Sequence, residues 1–348
     1  MYYSNHTIAV PPGATIKEQL DMRGLTQKEF ASRMGMSEKH ISNLINGKAE
    51  LTQEVALRLE SIFGIPARFW NNLESLYRES IARVNAENDL EEDAEIADLM
   101  PYSELVKLGW IIATRDRLEK TINLRNFFEI SRLSILRDQR VPGLAFRKLC
   151  VDTEIDYKSA IWVQKARLEA RKIQTGVING YLLQEKLSSI RAMTTQDPEV
   201  FCKDLVATMA DCGIALVFLP HIGGSFLHGA TFVDGKKIVL GLTVRGKYAD
   251  KFWFSLFHEI GHVINGHVYE TGELTEEQEA EANNFARDAL IPLDEFENLI
   301  KTPLSPNSIQ EFSARIGIHP GIVVGRLQKE EVIPFGWYNE MKLKYQIN

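Results

Sequence analysis

The sequence predicts a multidomain protein: an all-α N-terminal domain, a helical middle region, and an α+β domain that ends in a helical tail. Three observations carry this. Helix starts and stops follow closely on one another up to residue 80, the apolar period switches to two at Gly213, and two long helical patterns follow the resulting short strands. Composition is compatible with such a chain. Its 348 residues are 45% hydrophobic and 25% charged with a net charge of −7, which excludes a disordered tail, a collagen-like repeat and a small disulfide scaffold. The three cysteines, Cys150, Cys202 and Cys212, have no metal-ligand spacing, so a reducing compartment is expected and a thiolate site is not. The first residues carry no signal-peptide pattern, and no run of about 18 apolar residues occurs. A soluble, cytoplasmic protein without a membrane partner is the expectation.

The elements follow in order. Pro11-Pro12-Gly13 ends any strand, and an amphipathic helix opens at Ala14 and stops near Gly24. Thr26-Gln27-Lys28-Glu29 has capping-box form and starts a second helix to Met34. Ser37 caps a third, which Asn46-Gly47 ends. Two more helices are expected over 52–63 and from Pro66 to about Glu79. Seven acids and no base lie between Ala86 and Asp98, the mark of a solvated linker or helix surface, and a domain boundary is placed there. From Pro101 to about Ala192 the pattern is helical and reads as scaffold, with no internal repeat. GIALVFLP, HGATFV and KKIVLGL read as strands, the last two joined by the hairpin signal Asp234-Gly235. One helix then runs from near Tyr248 through HEIGH, another from about Thr275 to Leu290, and short helices follow Ser305. The expected domains are 1–80, 81–196, 197–300 and 301–348.

The turn Gly35-Met36-Ser37 between two short helices is the arrangement that lets the second helix enter the major groove. The stretch LTQKEFASRMGMSEKHISNLINGK resembles the Cro/cI-type (XRE) helix-turn-helix family. The longer run from Pro11 to Glu79 is similar to its HigA branch, the antitoxins and autorepressors of toxin–antitoxin operons. The resemblance implies that Gln27 anchors to phosphate, that Glu38, Lys39 and Asn43 face the bases, and that Asn46 and Lys48 sit near the backbone. By their chemistry Lys39 suits guanine, Asn43 suits adenine and Glu38 could accept from cytosine. Glu38 stands where the family commonly has glutamine. Residues 11–80 hold nine bases and nine acids, so one copy should bind operator DNA weakly. A homodimer on a palindromic, double-stranded operator, with half-sites about 34 Å apart, is the expected remedy.

His258-Glu259-Ile260-Gly261-His262 puts two imidazoles at i and i+4 on one helix face, where they can share one cation. Zinc takes such ligands tetrahedrally, with three from protein and a fourth position open to water when the site is catalytic. Glu259 lies near that position and can take a proton from the water, which fits amide hydrolysis. Burying these groups in FWFSLFHEIGHVI is costly unless a partner such as a metal compensates. Gly261 mid-helix points to close approach of another backbone. A third ligand is needed, and Glu279 and Glu281 both offer one.

Together HEIGH and EAEANNFARDALIP resemble the ImmA/IrrE metallopeptidase family, and the tail SIQEFSARIGIHPGIVVGRLQKEEVIP is similar to the family's C-terminal segment. The resemblance extends from about Asp197 onward. It implies a zincin-like zinc endopeptidase with His258, His262 and Glu281 as ligands, Glu259 as general base, and a repressor-like or antitoxin-type protein as substrate. Asn283, Phe285 and Ala286 are read as packing for this ligand helix. His228, His267, Arg287, His319 and Arg326 are candidates for stabilising the oxyanion. The strand Lys237–Leu242 is a candidate edge for an extended substrate peptide. The alternative is a HigA-type autorepressor whose metallopeptidase-like domain senses or dimerises.

Overall fold

The computed structural model describes residues 2–4, 6–137, 150–151, 154–155, 157–223, 229–243, 248–270 and 274–345. The chain divides into two compact units, residues 1–97 with 114–122, and residues 98–113 with 123–348.

The first unit is helical apart from a small hairpin of β1 (Tyr2–Tyr3) and β2 (Ile8–Ala9). Its helices are α1 (Pro12–Arg23), α2 (Gln27–Met34), α3 (Glu38–Ile45), α4 (Gln53–Phe63) and α5 (Ala67–Ala97). Thr26 accepts from the Glu29 N–H while the Glu29 carboxylate accepts from the Thr26 N–H, so the capping box forms as the sequence predicts. Ser37 and Thr52 cap α3 and α4 by accepting from the His40 and Val55 N–H groups. The helices close around a core of Ile16, Leu20, Phe30, Ile41, Leu44, Leu59 and Trp70, with Phe30 and Phe63 stacked at 5.3 Å. The fifth helix differs from expectation, running past Glu79 to Ala97 through the acidic segment. That segment is a helix surface rather than a tether. Glu87 is held by the Ser4 and Thr7 hydroxyls, and Asp93 is buried.

The second unit holds α6 (Tyr102–Lys107), the end of α7 (Arg117–Phe128), the short hairpin β3 (Cys150–Val151) and β4 (Glu154–Ile155), α8 (Tyr157–Ala170), α9 (Gly180–Ala192) and α10 (Pro198–Asp211). A three-stranded sheet follows, of β5 (Ile214–Leu219), β6 (Gly229–Asp234) and β7 (Lys237–Thr243) in the order β5-β7-β6. β5 runs parallel to β7 and β6 antiparallel to it. The strand read as a substrate edge is therefore the central one, hydrogen-bonded on both sides, and β5 and β6 are the edges among the described residues.

Alternation along β7 explains the layers. Ile238, Leu240 and Leu242 enter the main core, whereas Gly241 faces Trp162 of α8 so closely that a side chain there would collide with the indole. α9, α10 and the sheet share this main core with α11 (Ala249–Ile264), α12 (Glu276–Leu290), α13 (Leu293–Ile300), α14 (Pro306–Ile316) and α15 (Pro320–Lys329). Phe252, Trp253, Leu256, Phe257 and Ile260 bury one side of α11, and the Trp253 indole donates to the Tyr345 hydroxyl at 2.9 Å.

α14 and α15 repeat the local design of α2 and α3. Glu-Phe, an arginine three residues after that phenylalanine, a glycine with left-handed φ and a capping residue recur at Glu29, Phe30, Arg33, Gly35 and Ser37, and at Glu311, Phe312, Arg315, Gly317 and His319. The second copy buries Ile322, Val323, Val324, Arg326, Leu327 and Gln328 of α15, so its face packs rather than reads. Among the described residues, no helix is long and apolar enough to cross a membrane.

Candidate metal centre and nucleic-acid interface

α11 and α12 pack along each other, and Gly261 sets their separation. A Cβ there would lie 3.1 Å from the Phe285 ring and 3.2 Å from the Ala282 Cα, the close backbone approach that a mid-helix glycine implies. From α11, His258 and His262 point their Nε2 atoms at each other across 3.0 Å. From α12, a Glu279 carboxylate oxygen lies 3.4 Å from His258 Nε2 and another 3.9 Å from His262 Nε2. One ligand atom from each of these three residues falls within 4.8 Å of the others.

Glu281, the ligand that the resemblance implies, points elsewhere. Its carboxylate meets His267 Nε2 at 3.0 Å and its side chain is 52% exposed. The reason is helical geometry, because residues two apart differ by about 200° around the axis and only one of them can face α11. Glu279 shares its stripe with Ala282, Asn283 and Ala286, of which both alanines are fully buried. That i, i+3, i+4, i+7 spacing was a readable signal for Glu279.

The donor set fits zinc, with two imidazoles and a carboxylate converging and the outer nitrogens of both imidazoles engaged elsewhere. His258 Nδ1 lies 2.9 Å from Asn283 Oδ1, and His262 Nδ1 lies 3.0 Å from His267 Nδ1. Asn283 and His267 therefore hold the two imidazoles in place, positions that the sequence reading did not give them. Burial opposes a charged His258, but the hydrogen bond to Glu279 and the charges of Glu259 and Glu279 outweigh it and raise its pKa.

Glu259 is buried and accepts from the Thr231 hydroxyl of β6 at 2.6 Å. A side chain at Gly229 would come within 2.7 Å of the Glu259 carboxylate, so the edge strand passes directly over this residue. The oxyanion candidates fare differently. Arg326 is buried under the Phe296 ring at 3.9 Å and donates to the Arg287 and Ile291 carbonyls, bracing the end of α12. Arg287 pairs with Asp288 at 2.7 Å, and His319 caps α15 by accepting from the Gly321 N–H. His267 contacts the outer nitrogen of His262, and His228 lies outside the described residues. None of the four described candidates is placed as a donor at the centre. Burial lifts the Cys202 thiol to about 11, in keeping with an inert side chain.

In the first unit, Ile41, Leu44 and Ile45 of α3 are buried, which turns the other face outward. That face carries Glu38 and Lys39, both exposed, and Asn43, which is half-buried. Exposed Gln27 begins α2, while exposed Asn46 and Lys48 follow α3, the Asn46 amide donating to the Ser42 carbonyl. All six residues belong to the α2–turn–α3 element or the residues just after it.

Comparison with known proteins agrees with this division. Residues 16–70 match the helix-turn-helix family, and residues 234–328 match the peptidase family described as the IrrE N-terminal-like domain. The chain is 36% identical over 66 residues to the uncharacterized HTH-type transcriptional regulator YddM of Escherichia coli, which is 19% of this chain and 70% of that protein. It is 40% identical over 57 residues to antitoxin HigA-1 of Vibrio cholerae, covering 16% of this chain and about half (53%) of that protein. It is also similar to the structure of an addiction-module antidote protein of the HigA family from Coxiella burnetii, at 25% identity over 24% of this chain and 92% of that one, with a TM-score of 0.22. The chain belongs to the XRE-type helix-turn-helix regulators, and it carries in its second unit a domain of the IrrE-like peptidase family.

Proposed function

We propose that this protein is a cytoplasmic DNA-binding regulator whose second unit is a zinc-dependent endopeptidase that cleaves a protein partner, a Cro/cI-type repressor or an antitoxin. The observation that carries the reading is the convergence of His258, His262 and Glu279 beside a buried Glu259 held by Thr231. His258, His262 and Glu279 would hold the zinc, which when bound supplies a Lewis acid for a peptide carbonyl. Glu259 takes the proton of the attacking water, with the Thr231 hydroxyl fixing its carboxylate. β6, the edge strand that passes over Glu259, can receive the substrate as an added strand. Two-fold pairing of the first unit would place two copies of α3 in successive major grooves, with Lys39 and Asn43 on bases and Gln27 and Lys48 on phosphate. Along the chain, residues 81–196 supply the acidic end of α5 and helical scaffold, and 301–348 the closing helical segment.

The test is Glu259→Gln. The variant should keep zinc and operator binding and lose cleavage of the proteins encoded beside its gene. Similarity to HigA-1 favours the second reading, an autorepressor with a sensing or dimerising second unit. Zinc-loaded wild type that represses its promoter but cleaves none of those proteins would establish that alternative.

A further inference from the structure

Glu281 and His267 stand outside the ligand set yet form a chain that ends on it. The Glu281 carboxylate lies 3.0 Å from His267 Nε2, and His267 Nδ1 lies 3.0 Å from His262 Nδ1. His267 is buried and sits just beyond α11, on the short turn His267–Tyr269 that follows Gly266. α12 brings Glu281 to it from the opposite side.

Proton bookkeeping gives this chain one direction. If His262 Nε2 holds the metal, its lone pair points there, and a neutral imidazole must carry its hydrogen on Nδ1. His267 Nδ1 faces that hydrogen at 3.0 Å and accepts it in its bare form. His267 in turn carries its hydrogen on Nε2 and donates it to Glu281. The opposite tautomers would put a hydrogen on His262 Nε2 and close the site. A carboxylate acting directly on a ligand histidine is a common way to fix its tautomer and raise its basicity. Here the same influence passes through a second imidazole.

We infer that Glu281 and His267 are positioning residues for the metal centre, forming a carboxylate–imidazole relay that locks His262 in its metal-binding tautomer. The relay rests on the zinc site proposed above. It also gives the second glutamate of EAEAN a task distinct from the first: Glu279 meets the metal, and Glu281 sets the ligand. Because Glu281 is half exposed, replacing its charge should leave the fold intact.

The test is equilibrium zinc competition against a chromophoric chelator at fixed pH, with Glu281→Gln, Glu279→Gln and wild type compared, and with apo-protein melting recorded for each. Glu281→Gln should weaken zinc binding by about 10–100-fold with an unchanged apo melting temperature, and Glu279→Gln should weaken it by more. In zinc-loaded wild type with ¹⁵N-labelled histidine, His267 should show a protonated Nε2 and a bare Nδ1. Wild-type affinity in Glu281→Gln, a larger loss than in Glu279→Gln, or a protonated His267 Nδ1 would overturn the relay while leaving a metal site in place. A wild type that takes up no zinc would overturn the metal site itself and the relay with it.

Discussion

His319 shows how one side chain ties local geometry to solution behaviour. Its Nδ1 accepts the Gly321 N–H at 3.1 Å and so caps α15 in the neutral form only. Burial lowers its pKa, against a weaker opposing pull from the Asp250 charge. The unfolded chain therefore protonates this residue first, near the ordinary histidine value of about 6.5. Its contribution to stability is complete above that value and is lost as pH falls toward the depressed folded value. Replacement by asparagine, which caps without titrating, should reduce the fall in melting temperature between neutral and mildly acidic pH; an unchanged fall would show that His319 does not carry it. At this scale the sequence was legible where chemistry needs a fixed spacing, as in His258 and His262. Glu279 and Glu281 differ only in which face of α12 packs, and the apolar stripe of Ala282 and Ala286 that marks the face of Glu279 is the signal that separates them.

Among the elements, the packing of α11 against α12 governs the site. Gly261→Ala removes a helix-propensity cost of about 1 kcal/mol but places a methyl group against Phe285 and Ala282. The helices must part by a few tenths of an ångström, and Glu279 and Asn283 move with α12. Zinc affinity should fall by about tenfold or more while helical content, read by circular dichroism, stays constant. Affinity equal to wild type would show that α12 can shift without disturbing the ligands. The capping signals at Thr26, Ser37 and Thr275 and the hairpin at Asp234-Gly235 were readable because each is a local backbone demand. The order of strands was not, since a parallel β5–β7 pair with β6 outside depends on contacts distant in sequence. Nor was the length of α5, where acidic residues that suggest a linker are held on a helix by Ser4, Thr7 and the burial of Asp93.

Across the molecule, charge is distributed so that the reading surface is neither repelled from DNA nor strongly drawn to it. Residues 1–97 hold ten bases against fifteen acids, and six of those acids lie from Glu87 to Glu95. At about 1.5 Å per residue these begin some 30 Å along α5 from its start, well beyond a Debye length of about 8–10 Å. Operator binding should therefore depend on pairing of two copies and on specific contacts, and Lys39→Ala with Asn43→Ala should abolish the shift of its own promoter fragment. An unchanged band shift would remove α3 from the role of reader. The central claim is that a regulator of this family carries a working zinc centre, and its most direct test is the metal content of the purified chain. Wild type should hold about one zinc per chain, and His258→Ala and His262→Ala close to none at the same protein concentration. Wild type without zinc, or zinc retained in full by both variants, would contradict the account.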